Sequence, residues 1–200
     1  MASHYDDEIW GLVGDDPGPP PGHLQRFVAG LDPVATALDV GCGDGRLALG
    51  LRAEGLTLAD PSPVALERAH KRLPRARAVE LDVDAPLPLD DNAFELVLCS
   101  EVLEHVRDVQ LLLSEIRRVL VPGGTLALST PAHGRRSGLG ILLRGFERGF
   151  DPRSPHLRFF TRRSLADLLD ELGFAPYAVA QEQGALLVTA RRETLALRDR

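Results

Sequence analysis

Cysteine is scarce: Cys42 and Cys99 are the only two in 200 residues. They do not form a metal-ligand pair in sequence and need not be bridged, so both are expected as free thiols at the ends of buried strands. Lysine is scarcer still, since Lys71 alone accounts for one of the 23 basic residues. Against these stand 29 acids, leaving a formal net charge of −6. That balance argues against a general nucleic-acid binder, which is usually basic. Long apolar runs are missing too: nothing approaches the roughly 20 residues of a membrane-spanning helix. The polar opening MASHYDDEIW lacks the apolar stretch of a secretory signal. A cytoplasmic chain without a transmembrane segment is the expectation. The sequence is 44% hydrophobic, enough for one domain with a substantial core.

The densest signal lies in residues 36–49, TALDVGCGDGRLAL. An apolar run rich in strand formers breaks into Gly41, Gly43 and Gly45, then resumes with helical spacing. The pattern predicts a strand, a tight turn and a helix start. Glycines there let backbone lie against a ligand and adopt positive φ at little steric cost, and the carboxyl end of such a strand is where a cofactor is expected. A dinucleotide fingerprint needs G-x-G-x-x-G, but the third glycine position holds Arg46. Asp39 and Asp44 add two carboxylates, which suit a neutral or cationic ligand better than a diphosphate. A purely structural tight turn is the competing reading.

Around that turn the chain reads as alternating elements. Residues 1–21 form an arm that is acidic at first and then proline-rich (DDPGPPPG), unable to be helical at its prolines. Its Tyr5 and Trp10 are large aromatics that dock on the domain, as a lid over a ligand or as surface packing. Residues 22–31 carry Leu24, Phe27, Val28 and Leu31 at helical spacing. A helix over 47–53, ended by Gly55, leads to a strand at 56–59 that closes on Asp60. An acid there, at the end of a second strand, suits the hydroxyls of a cofactor ribose; capping of a helix over 64–73 is the alternative. A third strand over 76–81 ends at Asp82. The apolar strand FELVLC (94–99) precedes a helix-like SEVLEHV segment, on which Glu101, Glu104 and His105 would share one face. Asp108 caps a helix over 109–121 that Pro122, Gly123 and Gly124 stop, before a strand over 125–130. A helix over 162–172 leads into extended segments at 177–181 and 185–190, close enough to be antiparallel. Strands alternating with helices make this an α/β chain with a parallel sheet, mixed at one edge.

Five segments in this order carry a family resemblance: LDVGCGDG, the acid of LADPSP, the acid of LDVDAPLPLDDNAFELVLCSEVLEHV, EIRRVLVPGGTLALSTP, and HLRFFTRRSLADLLDELGF before the hairpin. Over residues 35–190 the chain resembles a class I S-adenosylmethionine-dependent methyltransferase of the ubiquinone-biosynthesis or type 11 kind. The resemblance implies a Rossmann-like, seven-stranded mixed sheet with its last strand antiparallel and helices on both faces, a three-layer sandwich. It implies S-adenosyl-L-methionine as cofactor, with contacts from Asp39, Gly41, Cys42, Gly43, Ser100 and Glu101. Asp60 and Pro61 would lie at the ribose, and Asp82 and Val83 at the adenine.

Methyl transfer needs positioning more than covalent help, with a base only where the acceptor must lose a proton. His105 and Glu101 are the candidate catalytic residues. No metal is expected; the alternative, drawn from the similar E-x-x-E-H of ubiquinone-pathway O-methyltransferases, is a divalent site of Glu101, Glu104 and His105 with His133 or His156. The expected organisation is a flexible arm (1–21), a domain (22–192) with a substrate-covering insertion (131–160), and a tail (193–200). The arginines and apolar residues of that insertion suit a small acceptor of anionic or lipid-like character, with no nucleic-acid partner; a general preference of the chain for arginine over lysine is the competing reading, and small aromatic or polyketide-like acceptors stay open. Two other functions share these features: a catalytically silent cofactor-binding subunit, and an NAD(P)-dependent oxidoreductase, against which Arg46 and the antiparallel tail count.

Overall fold

The computed structural model describes Trp10 and residues 17–83, 85–133 and 156–194. Tyr5 and most of the arm, the greater part of the expected insertion (134–155) and the end of the tail (195–200) lie outside the described residues.

The elements are α1 (Gly22–Ala29), β1 (Val34–Val40), β2 (Ala53–Asp60), α2 (Pro63–Arg72), β3 (Arg77–Glu80), β4 (Phe94–Ser100), α3 (Val109–Val119), β5 (Leu120–Pro131), α4 (Arg162–Glu171), β6 (Phe174–Glu182) and β7 (Ala185–Arg192). The strands make one seven-stranded sheet in the order β3-β2-β1-β4-β5-β7-β6. Strands β1 to β5 pair in parallel, while β7 runs antiparallel to both β5 and β6. The expected mixed sheet, with its last strand antiparallel, is what the chain forms.

Burial explains the layers. Leu113, Ile116 and Val119 of α3 and Leu165 and Leu169 of α4 pack with Leu38, Val40, Val97 and Cys99 of the central strands on one face. On the other, Val28 of α1 packs with Ala37, Leu96 and Leu98, and Leu66 and Ala69 of α2 with Leu58. Side chains alternate across a strand, so successive residues feed opposite layers. The helix starts follow the capping signals: Asp108 accepts from the Leu111 amide at 2.8 Å, and Ser62 from the Ala65 amide at 3.2 Å. Ser62, rather than Asp60, therefore caps α2.

Three expected elements differ. The helix over 47–53 is reduced to a single 3-10 turn, Ala48–Gly50. Only residues 46–52 separate the positive φ of Gly45 from β2, whose pairing Val34↔Ala53 already draws Ala53 into the sheet. So short a segment, with Gly50 inside it, cannot repay helix nucleation. The SEVLEHV segment is a turn, because Glu101 takes φ +56 and the Glu104 carbonyl accepts from the Leu157 and Arg158 amides. Strand β5 begins at Leu120 rather than at 125: Phe94 pairs with Leu120 and Leu96 with Thr125, so Pro122, Gly123 and Gly124 form an irregularity inside the strand.

Candidate functional site

Strand order reverses between β1, which continues to β2 on one side, and β4 on the other. Ligands in open α/β sheets bind outside the carboxyl ends of the strands at such a point. Here those ends carry Asp39, Asp60, Ser100 and Glu101.

The glycine turn leaves β1 with φ of +70 at Gly41, +53 at Gly43 and +74 at Gly45, conformations that a side chain resists. Each glycine also meets a different neighbour. A Cβ on Gly41 would lie 2.4 Å from Val102 Cγ2, one on Gly45 3.1 Å from Ala69 Cβ, and one on Gly43 2.7 Å from Trp10 Cζ2. Gly41 and Gly45 are thus required by packing within the fold, and Gly43 by the arm above it. The Gly43 amide donates to Asp60 Oδ2 at 2.8 Å, and the Ser62 amide to Oδ1 at 2.9 Å. Asp60 is held as an acceptor against the turn. Its backbone carbonyl takes the Leu81 amide, which starts the loop carrying the exposed Asp82 and Val83 beside it. Pro61 follows, half-buried.

The two acids of the turn have separate tasks. Asp44 is buried and engaged by Arg46 Nε at 2.9 Å and Arg72 Nη2 at 3.0 Å, so it pins the turn to α2 instead of facing a ligand. This corrects the reading that both carboxylates select the ligand's charge. Removing one cation leaves a buried carboxylate half-compensated: Arg72→Ala should cost roughly 2 kcal/mol in urea unfolding. An unchanged midpoint would remove that role.

Burial pushes the Asp39 carboxyl well above its ordinary 3.8, with the charge of Asp60 adding to the shift. The fold then holds that proton more tightly than the unfolded chain does. Stability is full below the unfolded pKa and is lost as pH rises through the folded one. Asp39→Asn has no such loss and should be more stable than wild type at pH 7.5 by about 1 kcal/mol, the gap narrowing toward pH 4; denaturation at both pH values checks it. Both cysteines are free and buried as expected, and burial pushes each thiol upward, helped at Cys42 by Asp39 and Asp60 and at Cys99 by Glu104 and Asp39.

Beyond β4 two polar groups diverge. Ser100 Oγ and Ser129 Oγ are 2.7 Å apart, and Ser129 Oγ donates to Glu101 Oε1 at 2.8 Å. Burial raises the Glu101 carboxyl against that hydrogen bond; His23 and His105 pull it down. His23, buried on α1 and 3.1 Å from Gln183 Oε1 in the β6–β7 turn, was not legible as a site residue: nothing in its spacing separates it from the apolar face of α1. The second group is Glu104, buried, accepting from Thr130 Oγ1 at 3.0 Å and pushed up by burial. Its Oε1 lies 3.9 Å from His105 Nε2. The His105 and His156 rings meet edge-on with centroids 5.0 Å apart. Glu104, His105 and His156 place ligand atoms within 4.8 Å of one another. Glu101 and His133 stand outside that trio. His133 stacks edge-on to Phe159 at 4.7 Å, with Nε2 buried and unpartnered among the described residues and its pKa lowered, first by burial and then by His156.

This topology, with acids at the ends of β1 and β2 around a glycine turn, is that of the class I S-adenosylmethionine-dependent methyltransferases. The chain belongs to the methyltransferase domain family, whose model matches residues 19–179. It is 30% identical over 190 residues to a malonyl-[acyl-carrier protein] O-methyltransferase of Halorhodospira halophila, covering 86% of this chain and 62% of that protein. The first curated relatives it matches are spanned over 31% to 57% of their own length. In fold it is similar to a putative methyltransferase of Bacillus halodurans (TM-score 0.72, 18% identity, 87% of this chain and 100% of that one). It is also similar to the [4+2]-cyclase SpnF (TM-score 0.76, 20% identity, 96% and 95%). Among the described residues no helix is long and apolar enough to cross a membrane.

Proposed function

We propose that the chain moves the methyl group of S-adenosylmethionine to an oxygen or nitrogen of a small-molecule acceptor. One observation carries this reading: at the carboxyl ends of the parallel strands, Asp60 after β2 is held as an acceptor against the glycine turn, and a buried glutamate after β4 is flanked by two histidines. The residues fit the cofactor. The Gly43 and Ser62 amides hold the Asp60 carboxylate at the end of β2, and ribose hydroxyls suit such an acceptor. Asp82 and Val83 stand beside that end of β2 for the adenine, and Asp39, Cys42, Ser100 and Glu101 line the remaining strand ends.

When bound, S-adenosylmethionine supplies an activated sulfonium methyl and departs as S-adenosylhomocysteine. The chain's own work is to orient the acceptor, exclude water and take its proton. His105 is the proton acceptor, steadied by the edge of His156 and by Glu104, with Glu101 as the second carboxylate near the reacting end. His105→Ala should lower kcat about 100-fold while leaving S-adenosylhomocysteine affinity unchanged.

Charge favours an anionic acceptor. A cleft of about 530 Å³ is lined by Arg107 and Arg158, two cations against the one acid Asp108, together with Val109, Gln110, Phe160 and Leu168. The malonyl-directed name of the Halorhodospira relative agrees with that chemistry and with oxygen as the acceptor atom. A second reading has its own observation: Glu104, His105 and His156 suit a divalent ion that would bind the acceptor oxygen.

The deciding experiment is calorimetric titration with S-adenosylhomocysteine and with NADH, each with and without EDTA, followed by methyl-transfer assays on phenolic and carboxylic acceptors. Binding of S-adenosylhomocysteine alone, with turnover, supports the proposal. EDTA-sensitive turnover moves the histidine cluster to the metal reading. Binding without turnover on any acceptor makes the chain a silent cofactor-binding subunit, and NADH binding in its place overturns the reading.

A further inference from the structure

Trp10 is the one tryptophan of the chain. Its indole edge rests on Gly43, with Cζ2 and Cη2 at 2.7 and 3.0 Å from where a Cβ would stand. The following chain is tied to the same turn: Arg46 Nη1 donates to the Gly18 carbonyl, and Arg46 in turn holds Asp44, which Arg72 of α2 anchors. Half-buried, the indole joins none of the hydrophobic clusters formed by the described residues. A large ring has thus been brought to bare backbone without entering the core, which leaves apolar area uncovered beside the turn.

The position of Gly43 gives that area a purpose. Gly43 lies between Gly41, at the end of β1, and Asp60, to which its amide donates. A ligand whose ribose is held by Asp60 and whose other end reaches the carboxyl ends of β1 and β4 would run along the glycine turn, on which the indole rests at Gly43. The side of Gly41 is closed by Val102 of the turn after β4 and that of Gly45 by α2, whereas Gly43 is closed by the arm.

We propose that Trp10 is a cofactor-contact residue, its indole forming the wall of the S-adenosylmethionine site opposite the Asp60 carboxylate. The inference rests on the methyltransferase reading of the site. With a single tryptophan, emission reports on this contact directly. S-adenosylhomocysteine should change Trp10 emission with the same midpoint that calorimetry gives for binding. Trp10→Ala should bind about 10-fold more weakly, and Trp10→Phe, which keeps a ring, within about 3-fold of wild type. Because Trp10 is outside the core clusters, both variants should unfold at the wild-type midpoint, which separates a contact from a structural role. Calorimetric binding with unchanged emission, together with wild-type affinity in Trp10→Ala, would overturn the proposal while leaving the cofactor reading intact. No calorimetric binding to wild type would overturn that reading and this inference with it.

Discussion

Gly43→Val should leave the sheet folded and lower S-adenosylhomocysteine affinity by at least about 100-fold, roughly 3 kcal/mol. Two effects add. At φ +53 a β-branched residue is strained, and its bulk meets Trp10 at 2.7 Å from the first side-chain carbon. The backbone can relieve the strain only by rotating away, which withdraws the amide from Asp60 Oδ2. Trp10 lies outside the core clusters, so folding loses less than binding. Circular dichroism with calorimetry separates the two, and wild-type affinity in a folded variant would remove the central assignment of the turn.

Asp60→Ala comes second. It deletes the acceptor proposed for the ribose hydroxyls and also strands the Gly43 and Ser62 amides, both satisfied by this carboxylate. A lost charged hydrogen bond is worth about 1.5–3 kcal/mol, so a drop in affinity of about 10- to 150-fold is expected. Relief of repulsion with Asp39, whose carboxyl Asp60 helps to raise, offsets part of the folding cost. Asp60→Asn keeps a carbonyl acceptor and should fall between wild type and Asp60→Ala. If Asp60→Ala lost stability but no affinity, the carboxylate would be a turn-former and nothing more.

Much of this site can be read before any fold is known. The strand ends at Asp39 and Asp60 follow from apolar runs closing on an acid, and the α3 and α4 faces from helical spacing. These features are local, written by periodicities of two and 3.6 residues. The misses lie where distant segments decide. Residues 47–53 have helical spacing, yet pairing with β1 claims Ala53 for the sheet. The E-x-x-E-H string suggested one helical face, but amides from residues 157 and 158 take the Glu104 carbonyl and the backbone at Glu101 turns left-handed. Glu101 thereby turns to Ser129, and Glu104 to Thr130.

By itself, then, the order of residues determined the class of fold, the glycine turn and the acids that close β1 and β2, because each depends on neighbours a few positions apart. Only the tertiary structure decided what those groups face. Asp44 is spent on Arg46 and Arg72, Gly41 on Val102, and His105 meets His156 from 51 residues away. Burial and charge pairing depend on which surfaces meet in space, and no spacing within one segment records that meeting.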